Sequence, residues 1–277
     1  ERQIKYNMGI FKLYFGRFSM NKASADTSYI SNMNFYEERK DLAASFRWAA
    51  RENLHEAVAN HFSLAVNENG TQFLMNPNMW HFSRIRASDL LILDANDKSV
   101  LEKENAPDAT AWGLHGAIHR LCPHAKCIMH VHSAFATVLA SLDDCMLPPI
   151  NQVAAMFFGR QVVDKNYGGL AFEEEGIRCA NLLSNPKIHT MIMGNHGILV
   201  LGKNVAETFN RLFHFERAAK VYINALQTGK KISILNEIIA EKTAQELEDE
   251  ELPNPAGTAF LREIKLILDK ENSNYTE

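Results

Sequence analysis

Cysteine is scarce in this chain. Only Cys122, Cys127, Cys145 and Cys179 stand among its 277 residues, each inside an apolar segment and without a paired framework. A disulfide-stapled scaffold is thereby excluded, and the interval between Cys122 and Cys127 is not that of a zinc knuckle. Buried free thiols in a reducing compartment are expected. An excess of basic charge is missing too: 29 Lys and Arg against 33 Asp and Glu give a formal net charge of −4. The basic residues are scattered among acids, so no nucleic-acid partner is expected. Long apolar runs are absent as well. None approaches the roughly 18 residues of a membrane span, and no membrane partner is expected. Within residues 1–19, the stretch Ile10-Phe11-Lys12-Leu13-Tyr14-Phe15 is too interrupted by charge for a secretory segment. Met20 reads as a natural start with an upstream extension before it, and a cytoplasmic protein is expected. There are no internal repeats.

What is present is ample apolar material, 46% of the chain, enough for one large core with appendages. Residues 1–34 read as a flexible N-terminal arm, 35–229 as the main domain and 230–277 as a charged helical C-terminal tail. Apolar Leu42, Phe46, Ala49 and Ala50 with charges opposite predict an amphipathic helix from Glu37 to Asn53. Strands are expected at Phe62–Val66, Gln72–Met75 and Leu90–Asp94, separated by Asn-, Asp- and Gly-bearing turns. A helix from Ala109 to Leu121 follows, then a strand from Cys127 to His132 and a short helix from Ser133 to Ser141. Gln161–Val163 reads as a strand, and Glu173–Leu183 as a helix with acids suited to its N-terminal dipole. Strands on either side of Gly194 lead into a long helix from Val205 to about Gln227. Alternating strands and helices predict a layered α/β domain.

Three histidines stand out. His130 and His132 alternate on the predicted strand, so both imidazoles point to one side of the sheet. His196 sits in Gly194-Asn195-His196-Gly197, a glycine-flanked turn. Imidazole is a common ligand for zinc, and three protein ligands with an open position suit a catalytic metal. The competing reading, half-buried histidines bonded to backbone, stays open on spacing alone.

The run Leu114-His115-Gly116-Ala117-Ile118-His119, followed by Pro123-His124-Ala125-Lys126-Cys127-Ile128-Met129-His130-Val131-His132-Ser133, resembles the class II aldolase/adducin family. So do Met193-Gly194-Asn195-His196-Gly197-Ile198, the Asn60-His61-Phe62-Ser63 loop, Leu74-Met75-Asn76-Pro77 and Ser88-Asp89-Leu90. The likeness is collinear from about residue 36 to 227. It implies a three-layer α/β/α domain with a central, largely antiparallel sheet, and a homotetramer with active sites at subunit boundaries. It also implies a divalent metal, zinc first and Mn or Fe as alternatives, held by His130, His132 and His196.

Two departures separate this chain from the sugar-phosphate aldolases of the family. Their catalytic acid, four residues before the histidine matching His115, is Ala111 here, and a methyl group cannot exchange a proton. Their phosphate-binding turn is replaced by Asn76-Pro77-Asn78-Met79-Trp80-His81-Phe82, without the glycine that lets backbone N–H groups close around phosphate. Both departures resemble the adducin-related and decarboxylase-like branches. The expected function is metal-dependent C–C cleavage, by aldol cleavage or decarboxylation, of a small non-phosphorylated hydroxy or oxo acid. Either route passes through an enediolate that a metal can hold. An Fe(II) oxygenase on the same ligands and a catalytically silent adducin-like module are the alternatives.

With the acid missing, His115 and His119 become the candidate proton carriers, because positions 111, 115 and 119 share one side of their helix. Polar caps on a helix under the sheet are the competing reading. Asn60, Asn195 and Trp80 are candidate substrate contacts, Asn195 being equally a turn former. His61 and His81 read as loop or surface histidines.

Overall fold

The computed structural model describes residues 33–168, 173–248 and 255–277. Most of the proposed N-terminal arm therefore lies outside the described residues, as do parts of two later connections. Among the described residues no helix is long and apolar enough to cross a membrane.

Seven strands form one sheet: β1 (His61–Ala65), β2 (Gln72–Met75), β3 (Leu91–Asp94), β4 (Cys127–Val131), β5 (Gln161–Asp164), β6 (Thr190–Met193) and β7 (Gly197–Gly202). Their order is β3-β2-β1-β4-β7-β6-β5. Every pairing is antiparallel except β5 with β6. The helices are α1 (Tyr36–Arg51), α2 (Ala109–Leu121), α3 (Ala134–Ala140), α4 (Gln152–Ala155), α5 (Glu173–Leu182), α6 (Val205–Gln227), α7 (Glu237–Leu247) and α8 (Ala256–Lys270).

The central strands are buried on both faces, and alternation sorts their residues between two helical layers. Met129, Val131, Ile198 and Val200 join a large core with Leu42, Phe46, Phe209, Leu212 and Phe215, from α1 and α6. Ile128, Met191, Leu199 and Leu201 point the other way, onto Leu114 and Ile118 of α2 and Cys179 of α5. The result is the α/β/α sandwich that the resemblance implies. Phe46 of α1 stacks on Phe62 of β1 with ring centroids 4.6 Å apart, and Phe82 meets Phe46 edge-on at the same distance. Such aromatic pairs add about 0.5–1.5 kcal/mol each beyond their buried area.

Several ends have visible causes. The Asp108 carboxylate accepts from the N–H groups of Thr110 and Ala111 and caps α2. Asn204 caps α6 through the N–H of Glu207. Close approach of α2 and α5 depends on Gly176, where a Cβ would lie 2.6 Å from the Gly113 carbonyl oxygen. The C-terminal segment is not an appendage. Leu261, Ile264 and Leu268 of α8, with Tyr275 beyond it, are buried in the core built on α1 and α6. All four cysteines are free and buried, as their apolar surroundings predict.

Candidate metal centre

Strand β4 delivers His130 and His132 by simple alternation. The turn between β6 and β7 delivers His196. That turn needs a left-handed residue, and Asn195 supplies it with φ +56°, its N–H donating to the Ala140 carbonyl. Gly197 follows because a Cβ there would come within 2.5 Å of the Val131 carbonyl oxygen and 2.9 Å of the His132 ring. Beyond His132, the Glu216 carboxylate on α6 accepts from Ser133 Oγ and the N–H groups of Phe135 and Ala136. This pins the chain as it leaves the strand.

The three rings converge. His132 Nε2 lies 2.9 Å from His130 Nε2 and 3.1 Å from His196 Nε2. The His130 and His196 rings stack with an interplanar angle of 10°. The hydrogen-bond partners fix what faces inward. His130 Nδ1 lies 2.9 Å from the Ile198 carbonyl oxygen, which can only accept, so Nδ1 carries the proton. His132 Nδ1 lies 2.6 Å from a Glu56 carboxylate oxygen, which likewise accepts, so Nδ1–H donates to it. In the neutral rings both Nε2 atoms then present lone pairs to each other. Lone pairs that close repel unless a cation lies between them. Tetrahedral zinc with Zn–N bonds of about 2.0–2.1 Å requires N···N separations of about 3.3 Å, so these two separations need change by only a few tenths of an ångström, and all three ligand atoms lie within 4.8 Å of one another. Among the described residues, His130, His132 and His196 form a group able to hold a metal. Burial pushes the His196 imidazole down to about 4 and His130 well below the usual range, leaving both neutral and ready to coordinate.

A second group, Asp164, Glu175 and Cys179, is also close enough to share an ion. Its charge is already answered by the Arg178 guanidinium, bonded to both carboxylates.

His61 is not the loop or surface residue its sequence position suggests. It is the first residue of β1, directly opposite His130 across the ladder, buried, with its ring stacked on that of His130 at 4.8 Å. His81 is half-buried and lies 3.0 Å, ring nitrogen to ring nitrogen, from His55. His115 and His119 are buried on α2 and reach the three histidines only through other side chains. His115 Nε2 lies 2.8 Å from His61 Nδ1, and Ser63 Oγ bridges His115 Nδ1 at 2.5 Å and His119 Nε2 at 2.7 Å. Burial lowers His61 and His119 to about 4, and His115 far below the usual value. Asn60 is buried beside the centre. Its Oδ1 accepts from the N–H of Glu56 and, at 3.4 Å, of His132, while its Nδ2 is buried without a partner. Asn195 is exposed at the turn. Trp80 lies elsewhere, under the Arg84 guanidinium in a surface hollow with Arg47, Arg86 and Asn274. Ala111 is fully buried with Phe73 and Trp112.

Residues 40–223 match the Class II Aldolase and Adducin N-terminal domain. The chain belongs to the class II aldolase/adducin family. A Pseudomonas aeruginosa protein whose name assigns it provisionally to the class 2 aldolases is 29% identical over 209 residues, 74% of this chain and 78% of that one. Rat beta-adducin is 29% identical over 172 residues, covering 61% of this chain and 23% of the adducin. Among solved structures, an aldolase II superfamily protein from Pseudomonas syringae superposes with TM-score 0.78 at 24% identity, over 90% of this chain and all of that one. An L-fuculose 1-phosphate aldolase from Glaciozyma antarctica gives 0.73 at 22% identity, over 91% of this chain and all of that one. These likenesses show that the fold is shared.

Glu56, Ser63 and His61 are the site residues that sequence reasoning passed over. For His61 and Ser63 a signal existed: alternate residues of a strand span about 6.6 Å, close to the 6 Å between residues four apart on a helix. A His-x-Ser strand can therefore pair with a His-x-x-x-His helix side chain by side chain. Glu56, in an irregular loop, carries no such signal.

Proposed function

We propose that the chain is a metal-dependent carbon–carbon lyase, cleaving a small non-phosphorylated hydroxy or oxo acid at His130, His132 and His196. One observation carries the reading: inward-facing Nε2 atoms meet while the Nδ1 atoms of His130 and His132 are tied to acceptors. A divalent ion there, zinc in first place and Mn or Fe as alternatives, supplies positive charge that polarises a carbonyl and offsets the charge developing as an adjacent C–C bond breaks.

The protein's own groups do the remaining work. Glu56 holds His132 in one rotation and one tautomer, and the Ile198 carbonyl does the same for His130. Asn60 Nδ2 is the donor suited to a substrate oxygen, since a buried N–H without a partner costs about 1–3 kcal/mol until it finds one. Asn195 is assigned to the pocket rim. His115 and His119 serve by fixing His61. Met79 takes a left-handed conformation, φ +59°, in the turn after β2 and leaves its side chain exposed, which argues against a phosphate cradle. Cytoplasmic operation as a homotetramer belongs to the same reading.

The test is metal content and turnover. Purified protein reconstituted with zinc retains one ion per chain and turns over a member of a panel of 2-hydroxy and 2-oxo acids, and His132→Ala abolishes both. Retention of no transition metal would overturn the reading. A silent, adducin-like module is the second reading, favoured by Ala111 sealed in an apolar cluster where an acid would be needed. Turnover that vanishes in His132→Ala dismisses it.

A further inference from the structure

Behind the three histidines runs a line of hydrogen bonds whose direction is fixed at one end. His119 Nδ1 lies 2.8 Å from the Ala125 carbonyl oxygen, and a carbonyl only accepts, so the His119 proton is on Nδ1. His119 Nε2 is then a bare acceptor, and the single Ser63 hydroxyl proton goes to it. Ser63 Oγ must in turn accept from His115 Nδ1–H. That leaves His115 Nε2 to accept from His61 Nδ1–H. Burial away from water keeps each ring neutral, with one proton apiece. At the end of the line, His61 Nε2 carries a lone pair. Among the described residues the ring's hydrogen bond is made by Nδ1, to His115, and the ring stacks on that of His130 with centroids 4.8 Å apart and planes 28° apart.

We propose that the His119–Ser63–His115 relay locks His61 in its Nδ1–H tautomer, making Nε2 a hydrogen-bond acceptor that selects ligands with a hydroxyl beside the three-histidine centre. This deepens the lyase reading and rests on it for the ligand, by favouring hydroxy acids over oxo acids. An oxo group offers that acceptor only another lone pair. Ser63, His115 and His119 are positioning residues, acting through His61. The opposite tautomer would require a proton on Ala125's carbonyl oxygen or two on the Ser63 hydroxyl.

Two measurements test the proposal. The first is neutron diffraction from deuterated crystals of the full chain without added metal, which locates the exchangeable hydrogens. Deuterium is expected on His61 Nδ1 and not on Nε2. In Ser63→Ala the pin is removed, and deuterium is expected over both nitrogens; Ser63→Thr, which keeps the hydroxyl, restores the lock. Deuterium on His61 Nε2 in the unmodified protein, or an unaltered lock in Ser63→Ala, would overturn the relay. The second compares lactate and pyruvate binding to the zinc-loaded full chain, by calorimetry. The lactate-to-pyruvate affinity ratio is expected to fall about fivefold in Ser63→Ala, the size of one neutral hydrogen bond, and to recover in Ser63→Thr. An unchanged ratio, or no binding of either acid, overturns the recognition role. Failure of the lyase reading is distinguishable, because it shows as lost zinc with the His61 tautomer still locked.

Discussion

Glu56 bears on the candidate metal centre without facing it. Its carboxylate lies 2.6 Å from His132 Nδ1, yet its side chain is 63% exposed, so any direct contribution to stability is small. Its value is orientation, because the ring it holds must aim Nε2 at His130 and His196 at once. Glu56→Gln is therefore expected to leave thermal stability within about 0.5 kcal/mol of the original. It should weaken zinc binding by about tenfold or more, the usual cost of losing such a partner. Competition with a chromophoric chelator measures the affinity, and an unchanged value would remove Glu56 from the site. His61 makes the complementary point. Its place is set by pairing with His130, a contact 69 positions away in sequence.

At the scale of elements, agreement with the sequence follows from how each element is stabilised. Helix α2 runs from Ala109 to Leu121 as expected, because Asp108 caps it and Pro123 follows its end. Helix α6 begins at Val205 behind the Asn204 cap, also as expected. Helix α1 starts at Tyr36 after Phe35, a left-handed residue with no side-chain cap, and no sequence signal announces such a start. The docking of α8 was not legible either: its apolar stripe shows that one face is covered, not by what. The β4–β7 ladder supports the site most closely. Gly197→Ala would press a methyl group against the Val131 carbonyl and the His132 ring. The expected outcome is a folded protein with greatly reduced zinc occupancy, read by circular dichroism beside elemental analysis. Full occupancy would mean that β7 does not set the His132 position.

For the whole molecule, burial of histidines couples folding to pH. His119 and His189 are both pushed down to about 4 by desolvation, and each is buried. Their unfolded-state value is about 6.5, so between pH 4 and 6.5 the unfolded chain binds more protons than the folded one. Their contribution to stability is therefore complete above about pH 6.5 and declines as pH falls toward 4. Each adds a slope of up to about 1.4 kcal/mol per pH unit. Urea unfolding at pH 7 and pH 5 measures it, with the midpoint expected to be clearly lower at pH 5. Equal midpoints would mean that these rings are protonated or hydrated in the fold. The same two-layer packing that buries them also brings strand, turn and helix together around the three-histidine centre.

The most direct measurement of that centre is anomalous scattering from a crystal of the zinc-reconstituted chain, collected on both sides of the zinc absorption edge. A single peak bonded to Nε2 of His130, His132 and His196 is expected, with at least one coordination position free of protein. No peak there, or a peak closed by a fourth side chain, would contradict it.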